Sequence, residues 1–85
     1  MAHSIEYKTS AEKELDALDG QNHARILKAI NGLKENPRPV GCKKLKGRDN
    51  EYRIQIGRYR VIYEIRDAVL IVLVVKVAHR GKVYR

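Results

Sequence analysis

The end of the chain carries several side chains that can act on a phosphate. The segment VAHRGKVYR contains an imidazole at His79, a guanidinium at Arg80 and a phenol at Tyr84, with further positive charge at Lys82 and Arg85. An imidazole and a phenol can each exchange a proton with a substrate, and a guanidinium binds phosphate through two parallel hydrogen bonds. Taken singly, a histidine at a strand end is more often a surface residue, and a tyrosine more often packs in a core. Together they form a candidate acid–base and anion-binding site.

A second set of cations lies in the segment YRIQIGRYRVIYEI, residues 52–65, where polar and apolar residues alternate. This alternation predicts two strands joined by a two-residue turn at 57–58. That turn length sets Gln55 opposite Arg60, with Arg53 as a diagonal neighbour. The apolar residues must face the core, because a one-residue slip would bury the arginines. The hairpin therefore predicts a polar face that presents two guanidinium groups, and we expect His79 and Tyr84 to lie beside them.

The last strand has two possible registers relative to this hairpin. A three-residue loop at 66–68 places Lys76 and Arg80 on the Arg60 side of the sheet, whereas a two-residue loop places them with the core. The charge pattern favours the longer loop, because it keeps both cations out of the core. We therefore expect one basic surface that is flanked by lysines of the preceding loop, and its members are Arg53, Arg60, Lys76 and Arg80, with Lys43, Lys44 and Lys46 beside them.

Positive charge is concentrated in the second part of the chain. Of the net charge of +8, residues 1–37 hold five Lys and Arg against six Asp and Glu, and residues 38–85 hold thirteen against four. A charge needed for solubility alone would be spread along the whole chain. An excess of this size on one part is typical of proteins that bind a polyanion, usually nucleic acid. A basic surface that only keeps the protein soluble is the alternative interpretation.

Other classes of chemistry have little support in the sequence. The three histidines and the one cysteine, Cys42, are too scattered for a zinc site, and no glycine-rich loop opens a helix to hold a nucleotide. We therefore expect neither a metal nor a cofactor. A single cysteine excludes an intramolecular disulfide and is typical of a reduced compartment. The sequence shows no secretory signal and no apolar run of membrane length, which predicts a cytoplasmic protein with no membrane association.

The length of 85 residues predicts one domain, spanning 1–85. The first helix is expected to begin at Thr9, which has capping-box spacing to Glu12, and to end at Gly20. Pro37 is expected to stop the second helix at Asn36. Strands are predicted in the segment HSIEYKT and at 44–46, 52–56, 59–65 and 69–78. The order β-α-α-β-β-β predicts a small α+β domain, with a helical hairpin packed on one face of an antiparallel sheet.

With these elements in place, the sequence resembles the RelE/ParE toxin superfamily, and within it the RelE branch. The resemblance covers the first strand, the helical hairpin and the segments KKLKG, YRIQIGRYRVIYEI and VVKVAHRGKVYR. It implies a RelE-like fold, similar to that of microbial ribonucleases, and a toxin of a type II toxin–antitoxin pair. Toxins of this kind are endoribonucleases (mRNA interferases) that cut messenger RNA in the ribosomal A site and so inhibit translation. The resemblance further implies a cognate antitoxin, and a toxin–antitoxin complex that binds its own operator DNA.

The resemblance also implies roles for individual residues. His79 can take the part of a histidine that relatives use as acid or base. The RelE lysine two positions after the first basic residue is Gln55 here, and the last helix of the family has no counterpart in the sequence. Residues that match catalytic positions of the RelE pattern are Arg53, Arg60, Arg80 and Tyr84. Residues implied to contact the RNA are Lys43, Lys44, Lys46, Gln55, Lys76 and Lys82.

These residues suit cleavage of RNA without a metal, in which the 2′-OH attacks the adjacent phosphate and leaves a 2′,3′-cyclic phosphate and a 5′-OH. The reaction needs a base, cations for the charge on the phosphorane and an acid for the leaving 5′-oxygen. The guanidinium groups supply the cations. With Gln55 in place of the lysine, His79 is the preferred base, or the acid when it is protonated, and the sequence leaves open how His79, Arg80 and Tyr84 share the proton transfers. Two alternatives remain open. One is a non-enzymatic ParE-like inhibitor of DNA gyrase, and the other is a non-catalytic or attenuated RNA-binding relative.

Overall fold

The computed structural model of the protein describes residues 2–79, and these form two helices and one five-stranded sheet. The predicted α+β fold is confirmed. A short 3-10 turn at Asp67–Val69 precedes the last strand. The bounds of the elements are β1 Ser4–Tyr7, α1 Thr9–Asp16, α2 Gly20–Gly32, β2 Lys43–Lys44, β3 Glu51–Ile56, β4 Tyr59–Arg66 and β5 Ile71–His79.

The strands lie in the order β1-β5-β4-β3-β2. Strands β2 to β5 pair antiparallel, as expected, whereas β1 runs parallel to β5 at the other edge. The sheet is therefore mixed, and β5 lies in its interior because β1 and β4 pair with its two sides. The apolar character of β5 on both parities is typical of such an interior strand. No helix in the described part of the chain is long and apolar enough to cross a membrane.

Helix α1 begins at Thr9 as expected, but its cap and the role of Gly20 differ from the prediction. The N-cap of α1 is Lys8, without a side-chain hydrogen bond, so Thr9 lies inside the first turn and the predicted capping box is wrong. Gly20 does not end α1 but begins α2, because Asp19 is the N-cap and its carboxylate accepts a hydrogen bond from the backbone N–H of Asn22 at 3.0 Å. An Asp at this position satisfies an N–H that has no partner within the helix.

The second helix also ends earlier than expected, at Gly32 rather than at Asn36. Glycine costs a helix about 1 kcal/mol relative to alanine, and residues 33–35 continue as turns instead. The chain then reaches Pro37, whose carbonyl accepts a hydrogen bond from the phenol of Tyr63 at 2.7 Å. Tyr63 is fully buried in the sheet, and burial raises the pKa of its phenol. This bond anchors the loop that follows α2 to the core.

The core lies between the helical hairpin and one face of the sheet, which we call the helix face. The helices contribute the buried residues Ala11, Leu15, Ile26 and Ile30. Burial of such apolar surface stabilises the fold by about 25 cal/mol per Å². The opposite side of the sheet is called the outer face below. Buried residues that the strands contribute to the helix face are Ile54, Val61, Tyr63, Ile65, Val72, Val74 and Val77.

A β-bulge sets the register of β5. The connection from β4 has four residues, 67–70, and brings Arg66 opposite Ile71 and Tyr63 opposite Val74. Continuing that register would set Lys76 opposite Val61, in the core. The register shifts after Tyr63 instead, so that Val75 is the extra residue and Lys76 lies opposite Ile62. Lys76 therefore reaches the outer face, as predicted, but through a bulge rather than a three-residue loop.

Candidate nucleic-acid interface

The two hairpin arginines lie together on the outer face. Gln55 pairs with Arg60 across β3 and β4, as the two-residue turn predicted, and Arg53 lies two residues before Gln55. Diagonal neighbours of this kind are about 7–8 Å apart, which long side chains can span. Arg53 and Arg60 are half-buried, and Gln55 donates a hydrogen bond to the carbonyl of Gly57 at 3.1 Å. Two guanidinium groups can thus contact one phosphodiester.

The lysines of the short edge strand separate onto the two faces. Lys43 pairs with Arg53 and extends the outer face, and we call the group of Lys43, Arg53, Gln55 and Arg60 the arginine face. Lys44 pairs with Tyr52, whose ring packs against the core, so Lys44 lies on the helix face. The expectation that Lys44 flanks the basic surface is therefore wrong. The strand is Lys43–Lys44 rather than 44–46, which leaves Lys46 in the turn beyond it.

The ammonium of Lys76 is held at the edge of the sheet by α1. Its Nζ lies 3.3 Å from Oε2 of Glu14, while Oε1 of Glu14 accepts a hydrogen bond from the backbone N–H of Val77 at 2.9 Å. Strand β1 ends at Tyr7, opposite Val74, so Glu14 supplies an acceptor where β1 no longer runs alongside β5. The sequence carried no local signal for this contact, which joins residues more than sixty positions apart.

His79 is not brought together with the hairpin arginines. It pairs with Tyr59, and the two rings meet edge-on with centroids 5.7 Å apart and an interplanar angle of 80°. Tyr59 packs against the core, so His79 shares the helix face with it. The expectation that His79 lies beside Arg53 and Arg60 is wrong, because directly opposed residues of an antiparallel pair point to the same side of the sheet.

Three of the predicted site residues, Arg80, Lys82 and Tyr84, lie outside the described residues, and their roles stay predictions. Among residues 2–79, no group of three or more His, Cys, Asp or Glu side chains is placed to hold a metal ion.

An acidic row crosses the outer face next to the arginine face. Glu51 pairs with Glu64, and the row continues through Leu73 to Glu6 on β1. Each of the two paired glutamates has an arginine beside it. Nη1 of Arg48 lies 3.7 Å from Oε1 of Glu51, and Nε of Arg66 lies 2.5 Å from Oε1 of Glu64. This row was not predicted, although the register that sets Gln55 opposite Arg60 also sets Glu51 opposite Glu64.

One further cation of the basic part of the chain serves the fold. Arg38 donates a hydrogen bond to Asp67 at 2.9 Å and another to the phenol of Tyr52 at 3.3 Å, with its guanidinium 5.3 Å from the centre of that ring. His3 Nε2 lies 3.1 Å from the other oxygen of Asp67. The hydrogen bond from Arg38, and then that with His3, hold the pKa of Asp67 below its usual range. This network joins the N-terminal segment, the loop after α2 and the β4–β5 connection.

Comparison with known proteins agrees with this architecture. The crystal structure of the archaeal RelE–RelB complex from Pyrococcus horikoshii contains a chain that superposes with a TM-score of 0.84 at 26% identity, over 96% of this chain and 99% of that one. A chain of the intact E. coli RelBE toxin–antitoxin complex superposes with a TM-score of 0.82 at 26% identity, over 92% and 96%. Both therefore share the fold over almost their whole length.

The sequence comparisons define the family. The family model of the ParE toxin of the type II toxin–antitoxin system parDE matches residues 5–84. A candidate toxin of Methanocaldococcus jannaschii, RelE1, is 32% identical, over 100% of this chain and 98% of that protein. The chain therefore belongs to the RelE/ParE superfamily of toxins from type II toxin–antitoxin systems.

Proposed function

We propose that this toxin is a metal-independent endoribonuclease that cuts messenger RNA on the ribosome and so inhibits translation. The observation that carries the proposal is the position of Arg53 and Arg60 as diagonal neighbours on a face turned away from the core. The excess positive charge of residues 38–85 suits RNA as the ligand. Cleavage by 2′-OH attack needs no metal when guanidinium groups stabilise the phosphorane.

Each step of the cleavage has a candidate group in the chain. Arg53 and Arg60 bind the scissile phosphate, and Arg80 is the third clamp that the RelE pattern implies. Tyr84 is the proton-transfer group that we favour, because Gln55 replaces the lysine of the pattern and His79 lies on the helix face. Lys43 and Lys82 hold the neighbouring backbone as monodentate cations.

We also propose that a cognate antitoxin neutralises this toxin. The similar chains from P. horikoshii and E. coli come from a RelE–RelB complex and from the RelBE toxin–antitoxin complex. A partner for this chain needs acidic side chains or an amphipathic helix to match the basic part.

Co-expression with the acidic product of a neighbouring gene should raise the yield, and the resulting complex is expected to bind its own operator DNA. A toxin that accumulates alone, with no such gene beside its own, would argue against this pairing. Translation places the whole system in the cytoplasm.

Primer extension on messages from cells that express the protein tests the activity. We expect discrete cuts within codons that disappear when the message is not translated. The alternative is the ParE-like inhibition of DNA gyrase that the resemblance to the superfamily left open, and the matching family model is that of ParE toxins. Double-strand DNA breaks without cuts in the message would overturn the endoribonuclease in favour of that activity.

A further inference from the structure

The tip of the β3–β4 hairpin borders a cleft on the helix face, away from the arginine face. The cleft has a volume of about 390 Å³ and lies between this tip, the first turns of α2 and the end of β5. Sites for small ligands commonly start at about 300 Å³, so the cleft can hold about one nucleotide. Its lining residues are Asn22, Arg25, Gly57, Arg58, Tyr59 and His79, and we call this group the tip pocket.

The cations of the tip pocket come from two elements. Arg25 projects from α2 and crosses the hairpin turn so closely that a Cβ at Gly57 would lie 2.8 Å from its Nη2. Gly57 has a φ of +59°, so glycine suits the turn and also leaves room for the guanidinium. Arg58 is exposed in the same turn. Two guanidinium groups therefore border one cleft, and none of its described lining residues is acidic.

The rest of the tip pocket suits a base rather than a second phosphate. His79 is exposed and is held edge-on by Tyr59, and flat rings of this kind stack on unpaired bases. The side-chain NH₂ of Asn22 donates to Asp19 at 3.1 Å, which leaves the amide oxygen of Asn22 as an acceptor. Cations, aromatic rings and an amide are the groups by which proteins hold a nucleotide of single-stranded RNA.

We propose that the tip pocket binds one nucleotide of RNA, with its phosphate at Arg25 and Arg58 and its base against His79. The inference rests on the proposed function, because it extends an RNA strand that is bound on the arginine face. Gln55 and Arg60 form the last outer-face pair before the turn, and the pair that closes the turn faces the helices. A strand that crosses the arginine face reaches the pocket by passing Arg58. An acidic antitoxin peptide would satisfy the arginines but would not use the two rings.

Nuclear magnetic resonance of the full chain tests the pocket with 5′-AMP as the probe. We expect 5′-AMP to shift the ring signals of Tyr59 and His79, whereas inorganic phosphate should shift the side-chain signals of Arg25 and Arg58. Arg25→Ala should weaken 5′-AMP binding about tenfold, as loss of a charge-assisted hydrogen bond does. The matched control is Lys28→Ala, an exposed cation one turn further along α2, which should bind like the wild type. Unshifted rings, or equal binding by the two variants, would overturn the proposal.

A second arm identifies the source of the nucleotide with 2′-O-methyl RNA, which cannot be cleaved by 2′-OH attack. Arg25→Ala and Arg58→Ala should each weaken a hexanucleotide about tenfold, and Arg60→Ala should weaken the hexanucleotide further while leaving 5′-AMP unaffected, if the same strand crosses both sites. An Arg25→Ala protein that loses antitoxin binding but keeps full RNA affinity would overturn the pocket in favour of a peptide site. Thermal melts verify that both variants fold. Failure of the pocket leaves the cleavage map intact, whereas failure of the proposed function leaves messages uncut while 5′-AMP still binds.

Discussion

The outer face of the sheet has a basic end and an acidic end, although both are built from the same strands. The arginine face lies near the hairpin tip, and the row of Glu51, Glu64 and Glu6 crosses the sheet next to it. Arg53 and Glu51 are two residues apart on β3, which is about 7 Å along a strand. The sign of the electrostatic potential therefore changes over a distance of about the length of one nucleotide.

This contrast shows that net charge alone does not describe the binding surface. Two glutamates directly opposite each other destabilise a sheet, and Arg48 and Arg66 offset that repulsion. Two cations of the basic part of the chain are therefore engaged in ion pairs within the protein. Arg38 and Lys76 also form ion pairs within the protein. What remains is a smaller basic patch with an acidic border, which favours RNA bound along the hairpin tip.

The largest expected effect is the loss of cleavage in Arg60→Ala. Removing one group that stabilises a transition-state charge lowers the rate by about 10²–10³, and Arg80→Ala should do the same. Growth arrest should be relieved, while the variant still folds and binds its antitoxin. A thermal melt must accompany the assay, because the aliphatic stem of a mid-strand arginine can pack. Lys13→Ala, on α1, is the control and should remain toxic. An Arg60→Ala protein that melts normally and cuts at the wild-type rate would refute the clamp.

The next effect is the dependence of RNA binding on salt. Each contact to single-stranded RNA adds about −0.7 to the slope of log K against log salt, so three or four contacts give a slope of about −2 to −3. The affinity should then fall about 16- to 60-fold between 50 and 200 mM salt. Fluorescence anisotropy with a 2′-O-methyl RNA measures this slope. A slope near zero would contradict the basic end as the binding surface.

A smaller effect is expected from Glu14→Ala, which removes the acceptor from the N–H of Val77 and releases Lys76. The free energy of unfolding should fall by about 1 kcal/mol, and hydrogen exchange at Val77 should accelerate. Glu14→Gln keeps an acceptor without the charge and should lose less. Denaturant unfolding and exchange together check the prediction, with Glu12→Ala, exposed on the same helix, as the control. Equal losses in Glu12→Ala and Glu14→Ala would mean that Glu14 does not anchor β5.

The smallest effect sharpens the boundary between the two ends. Glu51→Gln removes one charge of the acidic row, and we expect RNA to bind about two- to threefold more tightly at low salt. The gain should vanish near 1 M salt, where the screening length is about 3 Å. Glu12→Gln, on the helix side, is the matched control for the same change of charge. Unchanged affinity in Glu51→Gln would show that the acidic row does not border the bound RNA.

The sequence by itself determined the order of the elements and the faces of the β3–β4 hairpin. A two-residue turn allows only one register of the hairpin, and the alternation of polar and apolar residues allows only one assignment of its faces. The pairing of Gln55 with Arg60 could therefore be predicted from the sequence. The same reasoning reached Arg53, since strand parity is a local property, whereas Lys43 was expected only as a loop residue beside the basic surface. The resemblance to RelE toxins rested on these same segments and is confirmed by the comparisons.

Only the tertiary structure decided the features that depend on contacts distant in sequence. The bulge at Val75 moves Lys76 out of the core and turns His79 towards Tyr59, and no residue type in β5 marks it. Glu14 meets Val77 because α1 packs where β1 has ended. Helix α2 begins at Gly20 because the carboxylate of Asp19 caps it. From the sequence alone, Gly20 was equally suited to end α1. In the last two cases a backbone N–H needed a partner, and which partner was near depended on how the elements pack.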